Sequence, residues 1–216
     1  MIREFGVDEA FYLLLAARWT IGLALAATLA GAILGLFVAI LRTVPLRPLN
    51  WIAGLYIGVI QGTPLIGQLF VAFFGLSALG LEVNPWIAAV VALSVYASAF
   101  FGEIWRGSLQ SVPREQWEAS AGVGMTYLQR LRHVIVPQAV RISIPPTVGF
   151  LVQLVKNTSL ASVIGFVELT RAGQIMSNAT FEPLLTYLVV AAIYFVICFS
   201  LSIASRRLER SMHVTR

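Results

Sequence analysis

The residues with chemistry to offer fall into two groups, and neither is a catalytic set. One is the polar stretch 113–137, PREQWEASAGVGMTYLQRLRHVIVP, which carries Arg114, Glu115, Glu118, Arg130, Arg132 and His133. The other is Lys156, Asn157, Thr158 and Ser159, with Gln153 just before them, inside an apolar run. Gln61 and Thr63, next to Pro64, form a lesser pair. The hydroxyls lack a general base, so nucleophilic catalysis is not expected. His133 has no His, Cys or paired acid at metal-ligand spacing. Cys198 is the one cysteine, which rules out a disulfide framework and a cysteine metal cluster. The only lysine, Lys156, follows Val155 and not glycine, so no phosphate-binding P-loop exists. What remains is binding. A cation in mid-membrane costs about 2.5–3.5 kcal/mol, so Lys156 needs a partner, a cavity or a route to the interface. It either attracts a substrate carboxylate, or snorkels or pairs with an acid such as Glu168. Asn157, standing where an acid would favour a cationic ligand, tilts the cargo toward acidic or neutral.

The elements that hold these residues read as membrane spans. The 216 residues are 58% hydrophobic and 12% charged, with mean hydropathy +0.84. Soluble domains carry about 25% charged residues. Apolar runs predict an all-α integral membrane domain over 1–216 with about five spans, at 17–41, 51–74, 84–104, 144–164 and 183–205. Each is long enough to cross about 30 Å of hydrocarbon. Residues 9–18 are expected as an interfacial approach helix. Gly31 and Gly35, and the series Gly54, Gly58 and Gly62, predict close helix packing. Pro64 marks a helix broken in mid-membrane. Pro145 and Pro146 fit the first turn of the fourth span, and Pro183 that of the fifth. Glu103 and Arg106, three apart, are expected to pair. Acids near the start, and the length of the first run, predict no cleavable signal.

Five spans put the termini on opposite sides. With the C-terminus cytoplasmic and the N-terminus outside, 11 of the 15 basic residues lie inside, as the positive-inside rule requires. The loop 106–141 is then cytoplasmic. Within it, Trp117, Ala121 and Met125 recur every four residues, predicting a short amphipathic helix ended by Gly122 and Gly124. Small residues on that helix allow another protein's groove to close around it. The scattered positive charge points to membrane topology and not to nucleic acid.

Glu118-Ala119-Ser120, then Gly124, then Val134-Ile135-Val136-Pro137 resembles the EAA loop of bacterial ABC importer permeases: Glu-Ala-Ala, three residues, Gly, nine residues, Ile-x-Leu-Pro. QGTPL at 61–65, EIWRG at 103–107, PQAVR at 137–141, IPP at 144–146 and KNTSL at 156–160 resemble the polar amino-acid subfamily. The likeness covers about 51–173. It departs at Gln61, where the family usually has Arg. The resemblance implies a type I ABC importer permease fold in a bacterial inner membrane. It implies ATPase coupling through Glu118, Ala119, Ser120, Gly124 and Pro137. The implied partners are a cytoplasmic ATPase dimer that binds the ATP-Mg, a second permease, identical or sister, and an extracytoplasmic amino-acid-binding protein. No cofactor is expected in this chain. An ion-coupled secondary amino-acid carrier is the other reading, disfavoured by the lack of an inverted repeat.

Overall fold

The computed structural model describes residues 4–213, with side chains to 208. It is helical, with no strand among the described residues. The helices are α1 (Val7–Thr43), α2 (Arg47–Gly62), α3 (Leu65–Phe70), α4 (Leu76–Ala78), α5 (Pro85–Gln110), α6 (Arg114–Gly122), α7 (Tyr127–Arg130), α8 (Val136–Asn157), α9 (Leu169–Thr180) and α10 (Pro183–His213). Four segments are long and apolar enough to cross a membrane, and a bent pair makes a fifth.

Helix α1 runs 37 residues without a break. Asp8 and Glu9 occupy its first turn, where carboxylates meet the positive end of the helix dipole. Residues 9–18 are therefore not a separate interfacial helix. They continue the span because Leu13, Ala16 and Ala17 are buried against Leu169, Ala172 and Val190. Burial against α9 and α10 sets their direction.

The expected second span is two helices meeting at a 101° bend. Pro64 has no N–H to give, and Thr63 is extended. The freed carbonyls find donors within the bend. Gln68 Nε2 donates to the Ile60 carbonyl at 2.8 Å, and Thr63 Oγ1 donates to the Val59 carbonyl at 2.8 Å. After α3, a π-helical turn (Val71–Gly75) and α4 complete the arm.

Helices α1 and α5 pack so closely that glycine is required. A Cβ on Gly31 would lie 2.6 Å from Ala97 Cβ, and one on Gly35 would lie 2.7 Å from Phe101 Cβ. Leu23, Leu93, Phe101, Phe150 and Leu154 fill the core beside this contact. The second glycine series behaves differently. Gly58 and Gly62 have nothing within 4 Å, so that stripe is open in the single chain.

The helix that carries the fourth apolar run begins earlier than that run. It runs from Tyr127 through a π-helical turn (Leu131–Ile135) into α8, then through a 3-10 segment (Thr158–Ile164) to Gly165, whose φ of 86° ends it. Pro145 and Pro146 therefore lie inside α8 and not at its first turn, which holds Pro137 instead. The loop 106–141 is accordingly mostly helix: the end of α5, all of α6, and the first turns of the long segment.

Candidate functional site: a surface helix and a lone lysine

Helix α6 is short, polar and outside the apolar segments. Its end is built from backbone geometry. Gly124 donates to the Ala121 carbonyl at 2.9 Å and Met125 to the Ser120 carbonyl at 3.2 Å, with Gly124 at φ 79°. That left-handed conformation favours glycine because a Cβ would crowd the carbonyl.

One face of α6 is fastened to the chain. Trp117 packs on Val112, Ile135 and Ala139, and stacks with Tyr127 at 6.2 Å. Ser120 is buried, its Oγ donating to the Gln116 carbonyl at 2.7 Å. The opposite face presents Glu118 and Ala119 to the outside, with Gly124 just beyond. Val123 and Leu128 stand beside them at 76% and 70% exposure. Pro137 is exposed at the start of α8. Of the five residues named from sequence, Ser120 thus joins the inward side and the other four are open.

Glu103 and Arg106 pair near the same end: Arg106 Nε donates to Glu103 Oε2 at 2.9 Å, and Nη2 donates to Oε1. Arg106 also donates to Gln110. The pair pins the last turns of α5.

The Lys156 group sits where α8 tightens into the 3-10 segment. Lys156 and Gln153 are exposed, one turn apart on one side. No ion pair involves Lys156 among the described residues. Thr158 is buried and Ser159 half-buried, and their hydroxyls donate to the carbonyls of Val155 and Lys156 at 2.7 Å. Each keeps its lone pairs for another donor. Asn157 is half-buried, and Cys198 of α10 packs in one cluster with Val155, the neighbour of Lys156. Gln61 and Thr63 are exposed at the bend. From there α3 packs against Thr158–Ile164, so the two polar groups sit on adjoining segments.

Glu168 does not pair with Lys156. Its side chain is 0% exposed and caps α9. Oε2 accepts from the Thr170 N–H and the Tyr194 hydroxyl, both at 2.8 Å, and Oε1 accepts from the Arg171 N–H at 2.8 Å. Thr20 Oγ1 reaches Oε2 at 3.5 Å and accepts from the Leu169 N–H at 3.1 Å. Burial pushes the carboxyl above its ordinary range, with the donors to it acting the other way. The available signal was an acid directly before a helical pattern, the usual mark of a cap. No group of three metal-binding side chains occurs among the described residues.

The model of a family described as the inner membrane component of binding-protein-dependent transport systems matches residues 15–214. The chain belongs to that family. This permease is similar to the L-cystine transport system permease protein TcyB of Bacillus subtilis, 39% identical over 95% of this chain and 89% of the relative. It is similar to the glutamine transport system permease protein GlnP of Escherichia coli K12, 34% identical over 92% and 91%. A crystal structure of an amino acid ABC transporter with histidines matches with TM-score 0.91 and 34% identity, covering 95% of the permease and 96% of that chain. The permease is a membrane-embedded transport subunit of the type I importer fold.

Proposed function

We propose that this permease is half of the pathway of an ATP-driven amino-acid importer, and that α6 is the contact through which a cytoplasmic ATPase moves it. The observation that carries the reading is the two-sided character of α6. Trp117 packs against Ile135 and Ala139, and Gln116 Oε1 accepts from Gln138 Nε2 at 3.2 Å, while Glu118, Ala119 and Val123 are exposed on the other side. A helix fastened to its own chain and bare outward transmits force in both directions. The basic residues favour α6 on the cytoplasmic side, and the family's description favours a bacterial inner membrane. Names of the relatives favour an amino acid as cargo. A second permease half would close over the exposed Lys156 and Gln153, and an extracytoplasmic binding protein would deliver the substrate. ATP-Mg belongs to the ATPase, not to this chain.

The test co-expresses the permease with its ATPase and measures uptake in liposomes. Glu118→Lys puts a cation on the open face, and Gly124→Val forces a branched residue into the left-handed conformation. Each is expected to cut ATPase association and uptake by about tenfold or more. Normal association and uptake in both variants would remove α6 from the coupling. Uptake driven by an ion gradient with no nucleotide would favour the secondary-carrier reading.

A further inference from the structure

The turn from α1 to α2 borders an open, shallow cleft of about 480 Å³ lined by Arg42, Arg47, Asn50, Trp51, Gly54 and Leu55, among others. That volume is ample for a small ligand. The cleft lies at the end of α1 where Arg42 feels Glu103, which is the α6 end of the molecule. Arg42 is held in place. Its Nη1 donates to Asn50 Oδ1 at 2.6 Å and to the Asn50 carbonyl at 3.3 Å, while Asn50 Nδ2 donates back to the Arg42 carbonyl at 2.7 Å. The guanidinium rests on the bare backbone of Gly54, where a Cβ would come 3.2 Å from Nη1.

The rest of that fork is unused. Nε is buried with no hydrogen-bond partner, and Nη2 makes no bond among the described residues. No acid is hydrogen-bonded to it among the described residues: Glu103, whose charge it feels, is bound to Arg106, and the first turn of α2 carries no carboxylate. With Nε shut in, Nη2 is the nitrogen left to donate to a phosphate oxygen. Arg47 adds a second cation on the same cleft. Trp51, 68% exposed, and the exposed Leu46 and Leu55 extend the site into an apolar surface. Cations at a phosphate level with apolar side chains beyond are the profile of a phospholipid.

We propose that this cleft binds the headgroup of an anionic phospholipid of the cytoplasmic leaflet, with Arg42 on the phosphate, Arg47 answering the remaining charge, and Trp51 and Leu55 against the upper acyl chain. The proposal rests on membrane embedding and is independent of the cargo. Soluble phosphate offers the same oxygens and is the competing source. Full-length permease in mild detergent is titrated with phosphatidylglycerol or phosphatidylcholine, and bound lipid is counted by native mass spectrometry. Wild type prefers phosphatidylglycerol. That preference falls about tenfold in Arg42→Gln and about fivefold in Arg47→Gln. Gly54→Val keeps every charge but displaces the guanidinium, and it matches the Arg42→Gln loss even if that variant folds poorly. An undiminished preference in well-folded Gly54→Val and Arg47→Gln overturns the site. Inorganic phosphate leaves the lipid count unchanged, and displacement of lipid by phosphate overturns the lipid assignment.

Discussion

Glu168 and Lys156 are lone charges only 12 positions apart in sequence, yet their surroundings are opposite. The carboxylate is sealed from solvent and takes hydrogen bonds from α1, α9 and α10. The ammonium is exposed at the end of α8 with no ion pair among the described residues. A charge answered on every side ties elements together. A charge with no answer inside its own chain is free to meet something that arrives. Charged residues near a bilayer are thus two populations, separable only by who donates to whom.

The contrast breaks most visibly through Glu168. Glu168→Leu strands two backbone N–H groups and leaves the Tyr194 hydroxyl with Thr170 alone, and should destabilise the fold by roughly 3 kcal/mol. Thermal unfolding in detergent measures it. An unchanged midpoint would mean the acid is ornamental. Tyr194→Phe removes one donor to the carboxylate and its contact with Thr170. Its expected loss is about 1 kcal/mol in the same assay.

A pH series sharpens the comparison further. The folded-state carboxyl of Glu168 titrates above its unfolded value, so the folded form holds the extra proton in between. Its contribution to stability is full below the ordinary carboxyl range and falls as pH rises to the raised value, then levels off. The difference in unfolding midpoint between wild type and Glu168→Gln should follow that course. A difference that grows with pH would place the shift in the opposite direction.

Lys156→Met is the smallest change in stability, within about 0.5 kcal/mol, because nothing in the chain loses a partner. Uptake is where it should register, with a loss of about tenfold if a substrate carboxylate meets the ammonium. Unchanged uptake kinetics would take Lys156 off the pathway and leave it a snorkelling side chain.

Much of this architecture was legible because the bilayer imposes simple rules. Uncharged runs of sufficient length foretold four apolar helices and the bent pair that makes a fifth, and Gly31 and Gly35 announced a close contact that does form against Ala97 and Phe101. Pro64 announced the broken helix. The errors have a common origin. Pro145 and Pro146 obey the first-turn rule in isolation, but a helix already under way from Tyr127 continues through them. The approach segment was misjudged because its partners on α9 and α10 lie some 150 residues or more away in the chain. Glu168 was missed for the same reason. A cap acid looks alike in sequence whether water or Tyr194 surrounds it, and only the fold brings Thr20, 148 positions earlier, against it.

The narrow seam between α1 and α5 has a mechanical consequence. With Gly31, Gly35 and Gly102 each leaving less than a methyl group's clearance, neither helix can slide along the other without collision. The two must tilt as a single plank. Any change of shape that opens a path through the molecule is then displaced to its unlocked joints: the elbow at Thr63 and Pro64, and the tightened turn that follows Asn157.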